Sequence, residues 1–106
     1  MSERKPPAHL GAAGRQYWRT ITRAFNLRDH HFPILLTAAE ALDRGAEARA
    51  LVASEGMLLG EVGKLRRANP AVRIAQEAAR AFLAAEAALG LDIKPPGETG
   101  RPPGRR

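Results

Sequence analysis

The chain contains no cysteine and few aromatic residues, and both absences limit how it can be stabilised. Without cysteine it can form no disulfide, and it lacks the usual ligand of structural zinc. Aromatic residues make up 5% of the 106 positions, and alanine supplies much of the 44% hydrophobic content, so one subunit has a thin core. A single domain of this size without cross-links typically gains stability by association. We therefore expect a homo-oligomer.

Long apolar runs and catalytic motifs are also absent. No run approaches the roughly 20 apolar residues of a membrane span, and no apolar segment of signal-peptide type follows Met1, so we expect a cytoplasmic protein that does not bind membranes. No G-x-x-x-x-G-K-[ST] phosphate loop occurs. His30 and His31 lack a third ligand at metal-binding spacing. We predict that the protein is not an enzyme and holds neither a metal nor a cofactor.

Three carboxylates share one predicted helix face, at Glu40, Asp43 and Glu47. Such a face can in principle hold a divalent cation. Because Arg44 is interleaved with the acids, we interpret the face as solvated rather than as a metal site.

Positive charge is what the chain has in excess. Seventeen Lys and Arg oppose eleven Asp and Glu, for a net charge of +6, and fourteen of the seventeen are arginine. Guanidinium groups make forked contacts with phosphate, whereas lysine is the usual residue for solubility. Charge alone leaves two alternatives open, a nucleic-acid-binding surface and a solvated basic surface.

The first predicted helix covers residues 14–25 and is amphipathic. Trp18 and Ile21 lie on its apolar face. The opposite face carries a row of arginines at i, i+4 and i+8, namely Arg15, Arg19 and Arg23. Like charges at this spacing destabilise a helix by about 0.2–0.5 kcal/mol per pair, so an anionic partner would relieve the repulsion. The alternative is that acidic residues of another helix or subunit neutralise the row.

A long helix is predicted over residues 31–54, with Asp29 as its N-cap and Gly56 ending it. Pro33 is tolerated there only because it falls in the first turn. Gly45 costs about 1 kcal/mol relative to alanine and marks either a kink or a close helix contact. The predicted apolar stripe thins from large to small side chains, in the order Phe32, Leu35, Ala39, Leu42, Ala46, Ala50 and Ala53.

Residues 57–67 change character and predict a small hairpin, because short apolar segments flank Gly63. Two strands alone are marginally stable in water, so the hairpin should lie on the helices or pair with a neighbouring subunit.

A third helix is predicted over residues 70–89. Asn69 is suited to cap it, Pro70 to occupy its first position, and Gly90 to end it. Ile74 and Phe82 lie on its apolar face. The fold class is thus mainly α, with three helices and a hairpin between the second and the third.

Both ends of the chain differ from this single domain, which spans residues 12–92. Residues 1–11 contain Pro and Gly and predict a flexible arm that carries Arg4 and Lys5. Residues 93–106 are rich in Pro and Gly and predict a disordered tail. That tail is basic through Arg101, Arg105 and Arg106.

The order of these features resembles the phage terminase small subunit family. The segments that carry the resemblance are PPAHLGAAGRQYWRTI, the helix ending in ASEGM, the hairpin, and NPAVRIAQEAARAFLAAEAALGL. The Asn69-Pro70-Ala71 start and the Leu89-Gly90-Leu91 stop are the most specific parts. Two features depart from the family pattern: Asp92-Ile93-Lys94-Pro95 follows the stop, and no helix-turn-helix domain precedes the first helix.

The resemblance implies a ring-like homo-oligomer that binds double-stranded viral DNA and presents it to the large terminase subunit, which carries the ATPase and nuclease. The departures favour packaging with low sequence specificity, as in a headful phage or a prophage-derived gene-transfer particle. We expect phosphate contacts from Arg15, Arg19, Arg23 and Arg28, aided by the arm and the tail. We expect the core and subunit contacts to come from Trp18, Ile21, Leu35, Leu42, Ile74 and Phe82.

Two alternatives from other classes stay open. In the first, the protein is a structural assembly factor whose arginines meet acidic residues of a neighbour. In the second, it is an arginine-rich RNA-associated protein, which would prefer RNA and form no closed ring.

Overall fold

A computed structural model describes residues 4–91, and this part of the chain is mainly helical. Residues 1–3 and residues 92–106, which include the predicted tail over residues 93–106, lie outside the described residues. The sequence prediction of three helices, with an antiparallel hairpin between the second and third, is confirmed. The elements are α1 (Ala12–Ala24), α2 (His31–Glu55), β1 (Leu58–Leu59), β2 (Arg67–Ala68) and α3 (Pro70–Leu89).

Helices α2 and α3 form an antiparallel pair that makes up most of the fold. Gly45 is buried in their contact, and a Cβ placed on it would lie 3.4 Å from Ala78 Cβ. Gly45 therefore marks a close helix approach, one of the two alternatives that the sequence left open. Small residues dominate the buried sides of both helices, at Ala38, Ala41, Ala48, Ala71, Ala78 and Ala85.

The apolar stripe predicted for α2 is wrong in its second half. Ala50 and Ala53 are exposed, whereas Ala41 and Ala48 are buried. The periodicity of alanines cannot identify the buried face, because nearly every position in this stretch is small and apolar. The position of α3 selects that face instead.

The larger side chains gather where all three helices meet. Leu10, Trp18, Leu35, Ala39 and Leu89 form the buried cluster. Half-buried Ile21 and Phe32 pack around it. Leu10 belongs to the segment for which composition predicts a flexible arm; residues 4–11 instead lie against the helices, because Leu10 finds an apolar site that is 98% closed to solvent.

Helix ends follow the predicted chemistry at three places and depart from it at one. The side chain of Asn69 accepts a hydrogen bond from Ala71 N, Gly90 adopts the left-handed conformation, and Gly56 ends α2 with φ 91°. Asp29 is not the N-cap of α2. His30 holds that position without a side-chain bond, and the imidazole of His31 accepts from the backbone N–H of Arg28.

Candidate nucleic-acid interface

A carboxylate of α2 fixes the N-terminus of α1. The two oxygens of Asp43 accept hydrogen bonds from the backbone N–H groups of Gly11, at 2.7 Å, and Gly14, at 2.8 Å. The first N–H groups of a helix have no partner within it, and a carboxylate there also complements the helix dipole. Asp43, interpreted from the sequence as solvated, is therefore the tertiary cap of α1.

Gly14 allows this approach because it has no side chain. A Cβ at this position would lie 2.5 Å from Asp43 Oδ2 and 2.7 Å from the backbone oxygen of Ala39. Both distances are far below van der Waals contact. Two glycines three residues apart, Gly11 and Gly14, are the sequence signal for this junction, and hydrophobic periodicity does not register them.

The segment before α1 is held along the helix by three interactions. Trp18 Nε1 donates to the carbonyl of Arg4 at 2.8 Å. The Arg4 guanidinium stacks on Phe32, 3.8 Å from the ring centre. Arg15 Nη2 donates to the carbonyl of Leu10 at 2.6 Å. Basic residues of the segment are thereby placed beside the arginine row of α1.

Together the segment and α1 form a concave surface that we call the basic groove. Its volume is about 480 Å³. Its lining contains five cations and no acid, and consists of Arg4, Lys5, Pro6, Ala8, Arg15, Arg19 and Arg23. A second concavity, of about 560 Å³, is lined by the same three α1 arginines together with Ala12, Gln16 and Thr20.

The positive charge of this surface is only partly compensated. Arg4 forms an exposed ion pair with Asp29 at 3.6 Å. Within residues 4–91, neither Arg15 nor Arg19 forms an ion pair with an acidic side chain. An exposed ion pair contributes little, so the field of the groove stays positive.

The remaining residues predicted to bind DNA lie elsewhere. Arg28 is exposed in the connection between α1 and α2 and does not line the groove. Arg101, Arg105 and Arg106 lie outside the described residues.

The predicted core and subunit-contact residues occupy three environments. Trp18 and Leu35 are buried, and Ile21, Leu42 and Phe82 are half-buried. Ile74 is 41% exposed and lines a surface groove between α2 and α3, not the core.

No metal centre is evident among the described residues. Glu40 accepts from His9 Nε2 at 2.8 Å, and Asp43 is occupied by backbone N–H groups. Residues 4–91 contain no group of three His, Cys, Asp or Glu side chains arranged to hold a metal ion. No helix in the same range is long and apolar enough to cross a membrane.

Tyr17 has an upward-shifted pKa. Burial, then the nearby charge of Glu86 and a hydrogen bond to it, raise the pKa of Tyr17 to about 12. The hydroxyl donates to Glu86 at 3.5 Å, and the Tyr17 ring meets Phe82 edge-on at 5.1 Å. This contact docks α1 on α3 and is separate from the basic groove.

Comparison with known proteins gives one result that bears on this surface. The family model of the phage terminase small subunit matches residues 14–99, which is most of the chain. The chain belongs to the phage terminase small subunit family. Membership in this family indicates a role in phage DNA packaging. No curated protein and no solved structure matches the chain at a significant level.

The family match begins within α1. The matched region includes the arginine row, whereas Arg4 and Lys5 lie before the matched region. The basic groove of this terminase small subunit therefore combines matched and unmatched parts of the chain.

Proposed function

We propose that this terminase small subunit is a non-catalytic adaptor that binds double-stranded DNA in the basic groove and presents it to the large terminase subunit in the host cytoplasm. The observation that carries the proposal is the groove itself, where two separate segments place five cations and no acid on one concave surface. Forked guanidinium groups at such a surface suit phosphate oxygens.

The spacing of the arginine row suits a nucleic-acid backbone. Residues four apart on a helix are about 6 Å apart along the axis, so Arg15 and Arg23 span about 12 Å. Phosphates of one DNA strand advance about 3.4 Å per nucleotide along the duplex. The row can therefore follow three or four phosphates, which gives binding without base readout and hence with low sequence specificity.

Assembly into a ring-like homo-oligomer is part of the proposal. Within residues 4–91, seven of the eleven buried hydrophobic residues are alanine, so the subunit core is thin. Copies arranged around one duplex would also multiply weak phosphate contacts through effective concentration. Arg28 and the tail arginines Arg101, Arg105 and Arg106 would add phosphate contacts from outside the groove.

Salt-dependent DNA binding tests the groove. The test variant is Arg19→Ala with Arg23→Ala, because Arg15 and Arg4 also hold the N-terminal segment in place. The matched control is Arg73→Ala with Arg80→Ala, which removes the same charge from exposed positions on α3. Fluorescence anisotropy with two duplexes of unrelated sequence, at several salt concentrations, gives the affinity and its salt slope.

We expect the groove variant to bind about 30-fold more weakly, since each lost phosphate contact is worth about 1 kcal/mol. Its slope of log affinity against log salt should flatten by up to about 1.8. The DNA affinity of the control should change by less than about threefold. Equal losses of DNA affinity in both variants would show that net charge, not the groove, binds DNA. Absence of DNA binding by the unmodified protein would favour the assembly factor, and tighter binding to RNA would favour the RNA-associated protein.

A further inference from the structure

The exposed apolar side chains of this molecule are concentrated at one end. We call this the hairpin end, comprising residues 57–68 and the adjoining ends of α2 and α3. Val62 is 86% exposed and Leu65 is 99% exposed. Scattered exposed apolar residues are ordinary, but a cluster marks an interaction surface. Six of the seven exposed large apolar residues in residues 4–91 lie at this end: Leu51, Met57, Leu58, Val62, Leu65 and Ile74.

The hairpin finds little support within its own chain. Its ladder has two residue pairs, Leu58 with Ala68 and Leu59 with Arg67, and the strands pack chiefly against each other rather than on the helices. The exposed Lys64–Glu61 ion pair adds little stability to the hairpin. A two-stranded hairpin alone is marginally stable in water. Of the two sequence-based expectations for this hairpin, packing on the helices is not what the structure shows.

Beside the hairpin, the same chain has a concave apolar surface that we call the α2–α3 groove. Its volume is about 490 Å³, and its lining is mostly apolar. Ala48 and Ala78 are buried at its base, while Leu51 and Ile74 remain 48% and 41% exposed. The small alanine side chains leave the depression, and the two larger side chains leave apolar surface in contact with water.

The charges of the hairpin and the α2–α3 groove are opposite. The hairpin carries Lys64, Arg66 and Arg67 against one acid, Glu61. The groove is lined by two acids and one cation, namely Glu47, Glu77 and Arg44. Within residues 4–91 neither acid forms an ion pair. A projecting, apolar and basic element and a concave, apolar and acidic one thus occur on every copy of the chain.

We propose that the hairpin of one subunit docks in the α2–α3 groove of a second copy. Val62 and Leu65 then pack near Leu51 and Ile74 of the neighbour, and the hairpin arginines approach its acids. This inference rests on the homo-oligomer of the proposed function and names its subunit contact. Because the two surfaces differ, the contact can repeat head-to-tail from copy to copy, the arrangement that generates rings when the rotation closes.

Solution mass without DNA tests the apolar part of the contact. The test variant is Val62→Ser with Leu65→Ser, and the control is Leu83→Ser, which alters an exposed apolar side chain (62% exposed) away from the hairpin end. Exposed substitutions of this kind change stability little, and circular dichroism verifies the fold. By light scattering we expect the wild type and the control to be oligomeric and the test variant to have the mass of one chain.

Charge exchange tests whether the hairpin of one copy pairs with the α2–α3 groove of another. Arg66→Glu with Arg67→Glu reverses the hairpin, and Glu47→Arg with Glu77→Arg reverses the groove. Each variant alone should assemble at least tenfold more weakly than wild type. An equimolar mixture should associate as strongly as the wild type, because each reversed surface then meets its complement on the other variant. Failure of the mixture to associate more strongly than either variant alone, with both variants folded, would overturn the contact between hairpin and groove.

The same measurements separate this inference from the proposed function. If the wild type assembles and the serine variant keeps its mass, the hairpin contact is overturned while the ring proposal stands. If the wild type is a monomer, both the ring and its contact are overturned. DNA affinity of the basic groove, measured on the same samples, tests the adaptor role separately from both outcomes.

Discussion

The α1 side and the hairpin end of this small subunit are built in opposite ways. The α1 side is strongly charged and is fixed to the fold by buried or directed contacts, including Trp18 and the Asp43 cap. The hairpin end is apolar, exposed and joined to the helices mainly at Asn69. One surface retains positive charge on a rigid support, as anion binding requires. The other retains apolar area that only another protein surface can remove from water.

The largest expected effect on stability is at Trp18, which lies in the core and whose Nε1 holds the Arg4 carbonyl beside the basic groove. Trp18→Ala removes a side chain that is 97% buried and should lower the free energy of unfolding by about 3–5 kcal/mol. It also frees the carbonyl of Arg4, so DNA affinity should fall as well. Chemical denaturation and anisotropy measure the two effects. Trp18→Phe, which keeps most of the packing, should recover most of the stability; equal losses in both variants would contradict a packing role.

The glycine at the α1–α2 junction gives the next largest effect. Gly14→Ala places a Cβ within 2.7 Å of both Asp43 and the Ala39 carbonyl and should destabilise the fold by about 1–3 kcal/mol. Gly45→Ala is the matched control, since its Cβ meets only the flexible end of Arg49, at 3.0 Å, and Ala78 Cβ, at 3.4 Å. Thermal unfolding should place Gly14→Ala clearly below the control. The reverse order would mean that α1 can move away from α2 without cost.

Asn69 is the corresponding junction at the hairpin end. Its side chain accepts from Ala71 N and donates to Gly56 O at 2.9 Å, and its backbone N–H donates to Met57 O. Asn69→Ala should cost about 2 kcal/mol, at the upper end for a helix cap. It should weaken assembly because the hairpin loses its position. Asn69→Asp, which keeps the cap acceptor, should recover part of the stability; light scattering and denaturation measure both.

The smallest effect concerns Tyr17, which touches neither surface. Its pKa is raised to about 12 in the folded protein, against about 10 in the unfolded chain. Between pH 10 and pH 12 the folded state therefore keeps the phenolic proton that the unfolded state loses. The stability contribution is fully present below pH 10 and is lost as pH rises towards 12. Tyr17 is the single tyrosine, so tyrosinate absorbance reports it alone. A midpoint near 10 in the folded protein would contradict the docking of α1 on α3, and Tyr17→Phe should remove the pH-dependent difference.

The sequence by itself determined the helices, most of their ends and the arginine row. Hydrophobic period, the Asn69-Pro70 start and the glycine stops act over one or two helical turns, so they can be read without knowing what lies across the fold. The like-signed row at Arg15, Arg19 and Arg23 is likewise a local property of one helix. The hairpin was predicted from composition, because its glycines interrupt every helical period.

Only the tertiary structure decided which surfaces these elements form. Asp43 caps α1 from 29 residues away, and Leu10 draws the N-terminal segment into the core and sets Arg4 beside the arginine row. The alanine-rich face of α2 became defined only by its contact with α3. Long-range contacts choose among faces that look alike in sequence, because burial depends on which element lies opposite. The same reason leaves Ile74, apolar by pattern, on an open groove instead of in the core.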